Sequence, residues 1–114
     1  MPFFVVINEQ GPAWAEERPM RQQALWTEHA DFVNGLMSAG FVVLGGPIGP
    51  GTPHRALLIV HAKDEPSARY RLLEDPWMRA GILRLGRLDP WTILVSDDRL
   101  DPVLAAIARA PGSS

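Results

Sequence analysis

The sequence contains no cysteine, so no disulfide framework, thiolate nucleophile, cysteine-ligated zinc site or iron–sulfur cluster can be built from it. That absence suits a reducing compartment. There is no surplus of positive charge either. The 11 basic and 13 acidic side chains are scattered singly, for a net charge of -2, and offer no basic stripe to meet a phosphate backbone. Nucleic acid is therefore not an expected partner. No stretch approaches the roughly 20 apolar residues of a membrane span. The opening MPFFVVIN has no charged leader, too short an apolar run and no small-residue cleavage site, so it does not read as a signal peptide. These absences together lead us to expect a soluble, cytoplasmic protein that does not contact the membrane. Internal repeats and low-complexity segments are also missing.

What is present is enough apolar matter for one packed domain: 46% of 114 residues are hydrophobic. PFFVVIN, short and rich in β-branched and aromatic residues, predicts a strand over residues 3–8, broken by QGPAW. From about Pro19 the period changes. Gln22, Leu25, Trp26, His29, Phe32, Val33, Leu36 and Met37 recur at threes and fours, which predicts an amphipathic helix ending near Gly40. FVVLGGPI and RALLIVHA read as the second and third strands, joined by a Gly/Pro-rich loop. A second helix starts in the acidic, proline-containing turn of KDEPSARYRLLEDP and closes at Pro76. WMRAGILRLGRLDP reads as a short helical turn followed by an irregular extended segment, and PWTILV as the fourth strand. Asp101 before Pro102 opens a short terminal helix through about Arg109, followed by a frayed PGSS tail. The expected organisation is an α+β domain over residues 1–96 and a C-terminal helix and tail over 97–114. The order β-α-β-β-α-β is the ferredoxin-like plan, with a four-stranded antiparallel sheet. FFVVI, ALLIV and WTILV are apolar at both parities, so both faces of the sheet call for cover. Two helices cover one face, and a second copy of the chain would cover the other, which predicts a homodimer.

His29, on the apolar stripe of the first helix, is the leading candidate for chemistry. A lone histidine there is commonly a satisfied core residue, but an imidazole that titrates near neutral pH and faces a sheet also suits an acid–base pocket. Asp75 reads as a carboxylate at a helix C-terminus, where the carbonyl ends already carry negative partial charge, and such an acid wants a partner. The plainer reading is a local turn bond before Pro76. Trp26, Trp77 and Trp91 can wall a cavity, although tryptophans in small domains are usually core. Arg21, and Arg18 before it, can meet an anionic group or be solvated charge. GGPIGPG lacks the lysine and following helix of a phosphate-binding loop. His54 in that loop and His61 at a strand end have no second ligand at metal spacing, so no metal is expected. Ser38, Ser67 and Ser96 lack a nucleophile-elbow context.

Taken together, EHADFV with His29, VVLGGP with Gly46 and Pro47, DPWMRAG with Asp75, Pro76 and Gly81, and the closing PWTIL carry a likeness. In their order and spacing the sequence resembles the YciI-like (YCII-related) family of small bacterial proteins, from Phe3 to about Val95. The resemblance implies a dimeric α/β barrel in which the histidine of the first helix and the aspartate of the DP motif lie near one another as a catalytic pair. On this chain those are His29 and Asp75. Better-known members carry an arginine three residues before the histidine, where this chain has Trp26, so an anion contact there would have to come from Arg18 or Arg21.

Because that family includes a dehydrochlorinase of a chlorinated hydroxyquinol, the resemblance implies a lyase or isomerase step on a small cyclic or phenolic molecule in an apolar cavity. His29 would move protons, Asp75 would set its tautomer, and no cofactor is called for. Two alternatives stand beside it. One is a module that only binds a hydrophobic metabolite or a haem, since related dimeric barrels include haem proteins that use a histidine. The other is a dimeric accessory domain in which His29 is core.

Overall fold

The computed structural model of the protein describes residues 2–108. Four strands, β1 (Phe3–Gln10), β2 (Val42–Ile48), β3 (Arg55–His61) and β4 (Leu83–Trp91), form one sheet in the order β2-β3-β1-β4. Every neighbouring pair is antiparallel. Helix α1 (Trp26–Ser38) connects β1 to β2, and α2 (Glu65–Leu72) with the one-turn α3 (Pro76–Arg79) connects β3 to β4. This is the α+β, ferredoxin-like arrangement. It is followed by α4 (Asp101–Ala108), which begins at the expected Asp101; Arg109 and the PGSS tail lie outside the described residues.

Alternation along β1 divides the sheet faces. Phe4, Val6 and Asn8 are buried, while Phe3, Val5 and Ile7 between them are half-buried. Their partners across the ladder, Val60, Leu58 and Ala56, share the first face. Against it the helices bring Leu36, Ala68 and Leu72 into one cluster with Phe4, Val6, Phe41 and Val60. Trp77, Ile82 and Leu83 form a second cluster, with Trp14, Met20 and Trp26 packed around it. It is this second cluster that carries the site.

Three boundaries differ from the sequence expectation. Residues 20–22 form a single 3-10 turn, and α1 begins only at Trp26, not near Pro19. The cause is local. Leu25 sits in the left-handed region at φ 61°, and the buried Gln23 turns its amide onto the preceding loop. It accepts from Ala15 N–H at 2.8 Å and donates to the carbonyls of Ala15 at 2.7 Å and Arg18 at 2.8 Å. An amide spent on loop backbone holds residues 15–23 in a folded, non-helical path.

The second correction is the last strand, which occupies Leu83–Trp91 rather than PWTILV. Only Pro90 and Trp91 are common to both, and Leu94 and Val95 are exposed at 88% and 91%. The cause is a bulge. Ile7 pairs with Arg87 and Asn8 with Leu85, so Gly86 is passed over. The extra residue breaks the period-two spacing of Leu83, Leu85 and Leu88, which all point to the helix-covered face. In the sequence that break looks like irregular chain.

The third concerns Asp75, which does not end α2. That helix stops at Leu72, and Asp75 is the N-cap of α3, its Oδ1 accepting from Trp77 N–H at 2.9 Å. An N-cap is a favourable place for a carboxylate. The sequence argument from an electrostatically poor position therefore does not apply, although the plainer turn bond does form.

Candidate active site

Helix α1 stands over β2 and β3, and between helix and sheet lies a cavity of about 290 Å3. Phe32, Val33 and Leu36 from the helix, and Val42, Gly45, Gly46, Ala56 and Leu58 from the strands, make most of its wall apolar. Its polar groups are few: His29, Asp75, His54 and Asn8 are the ones buried in the wall or half-buried at its edge. An apolar cleft with a few converging polar groups is the usual form of a small-molecule site.

His29 and Asp75 are in contact although 46 residues apart, with Nδ1 of the imidazole 2.8 Å from Oδ2 and 3.0 Å from Oδ1. Only 14% and 6% of the two side chains is exposed. An ionised carboxylate can only accept, so Nδ1 carries the proton and Nε2 is the nitrogen left for a ligand. Asp75 is in turn held by its backbone position. Because Oδ1 also takes the Trp77 N–H, the α3 cap orients the carboxylate that the histidine meets.

The ring plane of His29 is fixed as well. It lies on Trp77 with centroids 3.8 Å apart and planes within 5°. Trp77 is 1% exposed, and its indole N–H donates to Ala24 O at 2.7 Å. That bond ties the stack to the residues just before α1. Trp26 leans on the same pair, 5.6 Å from Trp77 and 5.8 Å from His29. Thus a tryptophan N-terminal to the histidine on its own helix and one following the aspartate hold the imidazole between them.

Two other candidates fall elsewhere. Trp91, at the far end of β4 opposite Phe3, is 43% exposed and outside the cavity wall. Arg21 places its guanidinium 5.8 Å from the Trp26 ring and does not line the cavity. It bears on the site through that ring. Arg18 lines a neighbouring cavity of about 370 Å3, with Glu16, Glu17 and Trp14.

Two residues of the site carry no motif. His54, 6% exposed, lines both cavities, and its ring stacks on Trp14 at 4.3 Å. Burial, and after it the nearby charge of His29, hold its imidazole below the ordinary value. Backbone bonds fix the residue: His54 N–H donates to Gln10 Oε1 at 2.8 Å and Gln10 N–H to His54 O at 3.0 Å. Asn8 is 4% exposed, and its Oδ1 is buried without a hydrogen-bond partner. The sequence does hold a signal for Asn8, because it shares the parity of Phe4 and Val6 and so must turn an amide inward. His54 has no such signal, since nothing in a Gly/Pro-rich loop announces that it packs on a tryptophan.

Among the described residues no group of three or more His, Asp or Glu side chains is arranged to hold a metal ion, and no helix is long and apolar enough to cross a membrane. No protein-family profile matches the chain, and no curated protein does. Among solved structures, the chain is similar to the 5-chloro-2-hydroxyhydroquinone dehydrochlorinase of Burkholderia phenoliruptrix in complex with 2,5-dihydroxybenzoquinone. The sequence identity is 20% and the TM-score 0.49, over 82% of this chain and 95% of that one.

Proposed function

We propose that the protein is a small enzyme that uses His29 as a general acid and base, with Asp75 as the residue that positions it. The observation that carries this is one geometry: an imidazole clasped by a carboxylate at 2.8 Å, stacked flat on Trp77, at the wall of an apolar cavity. A carboxylate on Nδ1 selects the tautomer with a free Nε2 and stabilises the imidazolium once Nε2 has taken a proton. A group that both removes and returns a proton suits a lyase or isomerase step on a small cyclic or phenolic molecule. At about 290 Å3 the cavity is at the small end of ligand sites and suits a molecule of about one ring. Trp26 and Trp77 supply the flat walls. The pairing of His29 with Asp75 also supports membership of the YciI-like family, and with it assembly as a homodimer.

The test is turnover of a substrate found by screening small phenolic and cyclic compounds. His29→Ala should abolish it. Asp75→Asn keeps an N-cap for α3 but places an amide on Nδ1, and should cut kcat by about 10^4-fold, the scale of a wrong tautomer. Circular dichroism should show both variants folded. Full turnover by His29→Ala would sink the proposal and leave the cavity as a binding site, or His29 as core.

A further inference from the structure

The acid–base pair occupies one wall of the cavity, and it leaves Asn8 unused. Asn8 lies in the middle of the sheet, opposite Ala56 of β3 on one side and Leu85 of β4 on the other. Its side chain points to the helix-covered face and lines the cavity, yet its carbonyl oxygen has no donor although the residue is 96% buried. A buried acceptor without a donor is costly, and native proteins rarely keep one without a use. The bulge at Gly86 makes the placement more specific. The β1–β4 register shifts between Ile7 and Asn8, so Asn8 sits where the sheet is re-aimed, as bulges beside binding sites do.

We propose that Asn8 is a specificity-determining residue, whose Oδ1 accepts a hydrogen bond from a hydroxyl or amino group of the ligand. This rests on the cavity being the substrate site, as proposed above. The ligand is then a ring-sized molecule with two polar positions, one reaching His29 Nε2 and the other turned toward the sheet. The surroundings narrow the donor. Ala56, Leu58 and Leu83 near Asn8 are apolar, and His54, diagonal to Asn8 on the same face, is an imidazole that carries no negative charge and whose pKa burial lowers. Asp75 is the one acid in the cavity wall and is already engaged by His29, so the donor at Asn8 is a neutral O–H or N–H and not an ammonium.

Phenol and anisole, alike in ring and size but with and without a donor, are the probes. Titrated into the isotope-labelled protein, phenol should move the amide signals of residues lining the cavity at about tenfold lower concentration than anisole. In Asn8→Leu the preference should narrow several-fold, while the melting temperature holds or rises because an unpaired buried oxygen has gone. Asn8→Ala serves the same purpose if leucine does not fit. His29→Gln should keep the preference. A preference that is undiminished in both Asn8 variants, is abolished in His29→Gln, or is missing from the wild type overturns the role of Asn8 and leaves the acid–base proposal standing. If neither probe moves the cavity signals, the ring-sized substrate site fails together with it.

Discussion

At the scale of the residue, two histidines lining the same cavity are held differently by what touches them. His29 has a carboxylate on Nδ1 at 2.8 Å, which sets its tautomer. His54 lies on Trp14 and has no carboxylate in hydrogen-bond contact among the described residues, and burial lowers its pKa. The folded protein therefore prefers His54 neutral, and the unfolded chain binds more protons between that lowered value and the ordinary one of about 6.5. Stability should fall as the pH drops below about 6.5 and level off below the folded pKa, so far as this group is concerned. The carboxylates also respond to acid, so the contribution of His54 is read by difference. In His54→Gln the loss of melting temperature between neutral and mildly acidic buffer should be smaller than in the wild type. Equal losses in the two proteins would show that His54 charges freely in the fold.

At the scale of the element, helix endings explain one of the motif glycines but not the other. Helix α3 ends with Gly81 at φ 75°, where Ile82 N–H bonds to Trp77 O at 2.9 Å and Gly81 N–H to Met78 O at 3.3 Å. Helix α1 ends in the same way at Gly40, φ 79°. Because the bond from Ile82 reaches the tryptophan beneath His29, Gly81 holds one side of the site in place. Gly81→Ala should cost about 1–2 kcal/mol through the left-handed backbone, or roughly 4–16 °C in melting temperature for a domain of this size. At Gly46, by contrast, a methyl group would meet nothing within 4 Å and, opposite Leu57, would point to the face of the sheet away from the cavity, so Gly46→Ala should leave the melting temperature nearly unchanged. Thermal melts of the two variants side by side check both. The same elements show what was legible. Apolar periodicity locates β1, β2, β3 and the body of α1 because it depends on neighbouring residues alone. It fails at the start of α1, where Gln23 turns its amide onto the loop, and at β4, where the Gly86 bulge shifts the parity.

At the scale of the whole molecule, the sheet has a second face, turned away from α1, α2 and α3. Phe3, Val5 and Ile7 of β1 and Leu57 of β3 lie there half-buried, beside the buried Ile59. Toward β4 the face becomes polar, with Arg87 and Asp89 paired at 2.9 Å. An apolar centre with a charged margin is the make-up of a protein interface, and a second copy of the chain is the proposed occupant. Sedimentation should give twice the 12.6 kDa of the chain. Val5→Lys places an ammonium across from Asp89 in the same sheet, which the isolated fold tolerates, but buries it in a sheet-to-sheet contact. It should shift the protein to monomer without unfolding it. A wild type that sediments as a monomer at tens of micromolar would remove the dimer, and with it the need for cover on this face.

The sequence by itself determined the kinds of element and their order, the lack of thiol chemistry, and His29 as the residue to watch. All of these follow from composition or from spacing between near neighbours. Only the tertiary structure decided that Asp75 caps α3 while meeting His29, that Trp77 lies flat beneath the imidazole, and that His54 and Asn8 share its cavity. The pair His29–Asp75 spans 46 residues, and the register of β1 on β3, with Asn8 opposite Ala56 and Gln10 bonded to His54, brings Asn8 and His54 to the same cavity. Such contacts are set by which strands pair and in what register, and packing fixes both only when the whole chain has come together.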